Sequence, residues 1–249
     1  MAPAGFVLHE FTGGSVLVPE CVVPTLPTRF PFHVARLETM KRLLKFGDTY
    51  FDIGTELGWL APLFAQWVGA ESMCLFEPSE DMWPNIRATW QANELSMPKS
   101  TYWGFVGDVV REGKTDEIIY GRKRDWNKRD GWPGVAFDGP LLSQPVYRNF
   151  DECPYHRCTT LDALVETTNI IPKAIGMNIE GAEAIVLKGG QRTFAQHHPL
   201  VWVGMHVMSD TLRLKHNMTQ GSLVSLMKNC GYVAEFLETS YSEEWWLFT

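Results

Sequence analysis

Asp52, Gly54, Glu56 and Gly58, with Glu77 further on, have the types and spacing to hold a nucleoside. They lie in Tyr50-Phe51-Asp52-Ile53-Gly54-Thr55-Glu56-Leu57-Gly58 and in Leu75-Phe76-Glu77-Pro78. The pattern reads as a strand, a glycine turn, a helix and a second strand that ends in an acid. Glycine in such a turn lets backbone N–H groups come closer to a ligand than any side chain would permit. An acid at the tip of the next strand, here Glu77, is placed to accept both hydroxyls of a ribose.

The spacing Asp-x-Gly-x-x-x-Gly differs from the G-x-G-x-x-G of a dinucleotide site, whose glycines make room for a pyrophosphate. Glu56 within the turn would repel a pyrophosphate and suits a cofactor with a cationic aminoacyl end. In this the turn resembles that of the class I S-adenosylmethionine-dependent methyltransferases. Asp52 would fix the turn or face the aminoacyl end. Asp108 stands where related folds bind the adenine amino group, and reads equally well as a solvent aspartate.

A second constellation is Ile175-Gly176-Met177-Asn178-Ile179-Glu180-Gly181-Ala182-Glu183, which runs on to Leu187-Lys188-Gly189-Gly190. With Thr159-Thr160-Leu161-Asp162 upstream and a strand ending at His206 downstream, the stretch from about Gly47 to Tyr232 resembles the FkbM-type methyltransferase family. The resemblance implies a class I methyltransferase fold, S-adenosyl-L-methionine as cofactor, and an acceptor hydroxyl on a sugar, glycan or natural product. It carries His206, Glu180 and Asn178 over as acceptor-side residues. His206 is the candidate general base, since histidine titrates near neutral pH, or a strand-end histidine bonded to backbone. Glu180 would orient it, grip a second hydroxyl, or serve as a negative charge at a helix N-terminus. Glu183 suits that last role best.

Two departures from the family pattern stand out. Gly176 and Asn178 replace the lysine and aspartate of K-I-D, and Gly204-Met205 precede His206 where a carboxylate is common. Two carboxylates and an imidazole would match magnesium poorly, so no metal is expected.

Gly121 to Gly134 is basic and aromatic in an otherwise acidic chain. Arg124, Trp126 and Trp132 in it are candidate acceptor-binding residues, with indole faces for a sugar and arginines for an anion. A solvated loop packed on the domain is the plainer reading. Docking of RNA or a nucleotide is the alternative function that this loop supports. A non-catalytic binding protein with this fold is another alternative, to which the departures at Asn178 and Met205 give weight.

The elements that must position these residues alternate. Strands are expected at 49–54, 72–77, 101–106, 174–179 and 200–206, and helices at 59–68, about 80–94, 182–195 and 219–229. The last segment, Tyr232–Leu237 and Glu244–Thr249, reads as an antiparallel hairpin. This is an α/β chain with a doubly wound, Rossmann-like, mostly parallel sheet, whose ligand crevice lies at the carboxyl ends of the strands. Residues 1–46 read as a hairpin and lead-in helix packed on the core. Residues 47–249 read as the methyltransferase domain, with an insertion at about 109–150, the whole forming a single domain.

The chain has 249 residues, 45% hydrophobic and 20% charged, with 22 basic against 29 acidic side chains and a net charge of −7. That composition excludes a disordered chain and a surface made for wrapping DNA. No apolar run reaches membrane-spanning length and the first residues lack signal-peptide character, so a cytoplasmic location is the expectation. Cys153, His156 and Cys158 cluster without a second ligand pair, so the five cysteines are expected to be reduced structural thiols.

Overall fold

A computed structural model describes residues 2–20, 23, 33–78, 82–110, 158–179, 181–206, 219–240 and 243–249. Its centre is a seven-stranded sheet. β3 (Tyr50–Ile53), β4 (Met73–Phe76), β5 (Ser100–Tyr102), β8 (Ala174–Met177) and β9 (Leu200–His206) run parallel. β11 (Glu243–Phe248) is antiparallel to both β9 and β10 (Ala234–Ser240). The spatial order β10-β11-β9-β8-β3-β4-β5 becomes 3-2-1-4-5-7-6 when the seven strands are counted in chain order from the β5 edge. The order reverses between β3 and β8, so the ligand crevice belongs beyond their carboxyl ends.

Both faces of the sheet are covered, which is why its strands read as apolar runs rather than alternating ones. Tyr50, Leu75, Ala174 and Trp202 face α1 (Val34–Leu43), α2 (Ala61–Val68) and α3 (Trp83–Ala92) in one cluster. Phe51, Cys74, Ile175 and Val201 face α4 (Leu161–Thr168), α5 (Glu183–Gly189), α6 (Gln191–His197) and α7 (Gln220–Asn229) in the other.

The helix ends follow local chemistry. Pro62 opens α2, where a missing N–H costs nothing, and Gly69 closes it at φ 88°. Thr160 caps α4 by accepting from the Ala163 N–H at 3.0 Å, and Thr219 with Ser222 forms a capping box on α7. The N-terminus of α1 is held from a distance: Glu238 on β10 accepts from Ala35 and Arg36 N–H at 3.3 and 3.0 Å.

β1 (Phe6–Phe11) and β2 (Gly14–Pro19) form the N-terminal hairpin. Asn93, just past α3, pins it to the core. Its side chain accepts from Leu17 N–H and donates to Leu17 C=O, both at 2.8 Å, as a neighbouring strand would.

Two expected elements are corrected. The third strand does not run from 101 to 106: β5 ends at Tyr102. β6 (Phe105–Gly107) instead pairs with β7 (Cys158–Thr160) in a separate two-stranded sheet. The expected helix 182–195 is two helices that break at Gly189-Gly190. A Cβ on Gly189 would overlap the Gly107 carbonyl, so α5 can rest on β6 only with glycine there.

Candidate active site

The glycine turn sits at the carboxyl end of β3. Gly54 has φ 87°, and a Cβ there would overlap the Asn178 carbonyl from the end of β8. Gly58 has φ 73°, and its Cβ would stand 2.9 Å from the Ile86 Cα of α3. Both positions therefore need glycine twice over, for the backbone region and for the close approach. Asn178 bonds the same strand end, its N–H donating to Ile53 C=O at 3.3 Å.

Glu56 takes φ 53°, a left-handed conformation uncommon for a residue with a side chain. Its N–H donates to Glu77 Oε2 at 3.0 Å, and its own Oε2 accepts from Trp59 Nε1 at 3.1 Å. The carboxylate of Glu77 is thus fixed across the mouth of the turn and is mostly buried. Trp83 and Trp103 secure the backbone beside it by donating to the carbonyls of Glu77 and Pro78, each at 3.1 Å. Thr55, which carries no motif signal, ties the two strand ends together. Its hydroxyl donates to Asp52 C=O at 3.0 Å and accepts from Phe76 N–H at 3.2 Å.

Asp52 shares the α1-facing side of β3 with Tyr50, buried beside the Arg36 guanidinium of α1 and next to Thr55 of the turn. Burial pushes its carboxyl up to about 6, an effect that Arg36 and Thr55 partly offset. Tyr50 shares this pocket, and desolvation raises its hydroxyl well above the ordinary value. The hydroxyl fills the space that a Cβ on Gly176 would occupy. Among the described residues it has no hydrogen-bond partner of good geometry, and nor has Arg36 Nε. The guanidinium carbon lies 3.8 Å from the centroid of a Trp245 ring, a cation–π contact.

On the acceptor side, His206 ends β9 with a carboxylate at each ring nitrogen. Nδ1 is 2.9 Å from Glu183 Oε1 and Nε2 is 3.3 Å from Glu243 Oε2. Glu183 is 2% exposed, and the same oxygen accepts from Ile179 and Gly181 N–H at 3.0 and 3.2 Å. Glu183 therefore bonds Nδ1 of the imidazole and also stands in the first turn of α5. Glu243 comes from β11, directly opposite His206 in the ladder. No carboxylate stands on β9 two residues before His206. In its place the Glu243 carboxylate lies over Gly204, 3.0 Å from where a Cβ would be.

Other motif residues prove to be scaffolding. In Thr160-Leu161-Asp162, Thr160 is the cap described above and Leu161 is fully buried. Asp162 accepts from Arg192 and Thr193 N–H at 3.1 and 2.8 Å, which caps α6. Asp108 is exposed at the end of β6, not at the end of a strand of the main sheet. Glu180, Arg124, Trp126 and Trp132 lie outside the described residues, as do Cys21, Cys153 and His156. Cys74 and Cys158 are buried free thiols, and burial pushes Cys74 up to about 12. Among the described residues no cluster of three or more His, Cys, Asp or Glu could hold a metal ion. No helix among them is long and apolar enough to cross a membrane.

The strand order and the glycine turn define a class I methyltransferase fold. The profile of the methyltransferase FkbM domain matches residues 104–234, more than half of the chain. The chain belongs to the FkbM methyltransferase family. Among solved structures it is similar to the methyltransferase FkbM of Methylobacillus flagellatus KT, 18% identical, covering 84% of this chain and 45% of that one, with a TM-score of 0.50. It thus spans less than half of that protein's length. It is also similar to a precorrin-6y C5,15-methyltransferase from Geobacter metallireducens, 10% identical over 87% of this chain and 86% of that one, with a TM-score of 0.46. A third is a SAM-dependent methyltransferase from Aquifex aeolicus, 11% identical over 90% of each chain, with a TM-score of 0.45. No curated protein matches the chain.

Proposed function

We propose that the chain is an S-adenosylmethionine-dependent O-methyltransferase, with the donor at the ends of β3 and β4 and the acceptor hydroxyl at the ends of β8 and β9. The observation that carries this reading is the Glu77 carboxylate, buried and held by Glu56 N–H across a turn that tolerates only glycine at 54. The residues fit the group. A fixed carboxylate at the second strand tip suits a ribose diol, and glycine leaves space against the strand end for the aminoacyl portion. S-adenosylmethionine, when bound, supplies an electrophilic methyl group on a sulfonium.

Glu77 would bind the ribose, and Gly54 and Gly58 would let backbone N–H groups close on the cofactor. Methylating a hydroxyl releases a proton, and the cluster of Glu183, His206 and Glu243 is the set of groups that can take it. His206 is the most exposed member, its side chain 12% exposed against 2% for Glu183 and 8% for Glu243. Glu183 holds Nδ1 and the Glu243 carboxylate stands 3.3 Å from Nε2, so the released proton would pass to the cluster as a whole. A sugar, glycan or natural-product hydroxyl is the acceptor class that this proton-accepting cluster favours. The basic segment 121–134 keeps an RNA or nucleotide acceptor as the second reading.

Calorimetry with S-adenosylmethionine tests the donor half, and absence of binding would overturn the enzyme reading. Transfer of labelled methyl to a host extract, fractionated into glycan, lipid, nucleic acid and protein, tests the acceptor half. Label concentrated in nucleic acid would overturn the acceptor class.

A further inference from the structure

His206 does not stand alone between two acids. Glu243 Oε1 accepts from Trp245 Nε1 at 3.1 Å and lies 3.8 Å from His33 Nε2, just before α1. His33 packs edge-on against Trp245, with ring centroids 5.5 Å apart. Arg36, one turn further along α1, stacks on the same indole. A chain of ionisable groups thus runs His33, Glu243, His206, Glu183, from the N-terminal helix to the crevice.

Gly204 makes room for this chain, and Gly176 on the neighbouring strand makes room for Tyr50. Gly176 of β8 opposes Trp202 of β9, and Gly204 lies two residues further along the same face of β9. Side chains at these positions would meet Tyr50, and Trp245 with Glu243, respectively. With glycine at 204, Glu243 and Trp245 of β11 reach in over the sheet.

We propose that Glu243 is a positioning residue for His206: its carboxylate stands 3.3 Å from Nε2, opposite Glu183, and its charge so sets the pH at which the acceptor-side cluster can take a proton. This rests on the reading of His206 as part of that cluster. Among the described residues, four ionisable groups are seen to bear on the ring's charge. Glu183 on α5 and Glu243 on β11 face it directly, and His33 and Arg36 from α1 act through Glu243. An opposite charge at each nitrogen favours the charged imidazolium. Glu243 itself is buried, which raises its carboxyl above the ordinary value, while His206 and Arg36 pull it back down. The ring and this acid therefore bear directly on one another's charge.

The test is a titration of the His206 imidazole by heteronuclear NMR on the full chain. The spectra compare wild type with Glu243→Gln, which keeps shape and loses charge, and with Glu243→Asp, which keeps the charge. The His206 midpoint is expected to fall in Glu243→Gln and to return towards wild type in Glu243→Asp. An unchanged midpoint in a folded Glu243→Gln protein overturns the proposal. If Glu243→Gln does not fold, the coupling is read from the other side, as the carboxyl titration of Glu243 in wild type and in His206→Gln. Identical curves there overturn it equally. Failure of the methyltransferase reading would look different: S-adenosylmethionine would not bind, while the His206 midpoint would still move.

Discussion

Gly176 and Tyr50 provide the sharpest test of how this core is built. A methyl group at 176 would overlap the Tyr50 hydroxyl and stand 3.0 Å from its ring carbon Cζ. Tyr50 cannot swing aside, because it is fully buried and packs on Phe64 with ring centroids 5.3 Å apart. Gly176→Ala should therefore cost about 1–3 kcal/mol through overpacking. Tyr50→Phe removes a hydroxyl that has no well-formed partner among the described residues, so its own cost should stay below about 1.5 kcal/mol. In the double variant the oxygen is gone and only the tight Cζ contact persists. Most of the alanine's cost should then vanish, leaving a coupling of about 1–2 kcal/mol. Guanidinium unfolding of the four proteins, extrapolated to water, measures the cycle. Additivity to within about 0.5 kcal/mol would refute the claim that the hydroxyl occupies the space of a side chain at 176.

Other consequences follow from the same geometry. Asp52 has a folded-state value of about 6 against an ordinary 3.8. The folded protein therefore binds this proton more tightly, and stability should fall as pH rises between those values, by on the order of 2–3 kcal/mol. Asp52→Asn should remove that slope, as urea unfolding at about pH 4 and about pH 7 would reveal; an unchanged slope would mean Asp52 is not the group responsible. Glu77→Ala should weaken S-adenosylmethionine binding by about 1.5–3 kcal/mol, the worth of a hydrogen bond to a charged group. Full retained affinity in calorimetry would remove the ribose assignment. Thr160→Ala should cost about 1 kcal/mol of stability through loss of the α4 cap and leave cofactor affinity unchanged. A loss of binding would mean the Thr160-Leu161-Asp162 element does more than hold α4 to α6.

Local rules explain which features the sequence displayed. The turn after β3 was readable because its demands fall on adjacent residues: positive φ and close approach at Gly54 and Gly58, and an acid at the next strand tip. The alternation of strands and helices was readable for the same reason. Pairings between distant segments were not. Thr101 to Val106 is rich in β-formers and reads as one strand, yet the chain divides it between two sheets because Phe105–Gly107 pairs with Cys158–Thr160. The helix through 182–195 reads as continuous by its apolar spacing, but Gly189 is required by the carbonyl of Gly107, remote in sequence. Glu243, Arg36 and His33 carry no motif at all. Their place beside the site follows only from the register of β11 on β9 and from the docking of α1 through Glu238.

That last point bears on whether the site is a working one. Read along the chain, Gly176, Asn178 and Gly204-Met205 remove a cation and carboxylates from where the resemblance expects them, and Asn178 and Met205 give weight to a protein that binds without catalysis. In space a cation and one carboxylate are supplied from neighbouring elements. Arg36 stands beside Tyr50, close enough to act on both Asp52 and Glu243. Glu243 reaches over Gly204 to the second nitrogen of His206. A sheet face is shared among several strands and the helix that covers it, so a charge lost from one strand can be supplied from its neighbour at little cost in position. Gly204 is then a condition for the carboxylate's replacement, since a Cβ there would stand 3.0 Å from Glu243 Oε2 and 2.7 Å from the Trp245 ring. It follows that Gly204 and Glu243 should vary together in related chains. One that keeps Gly204 but lacks an acid at 243 would be short of a carboxylate in space as well as in sequence, and there the non-catalytic reading would gain its footing.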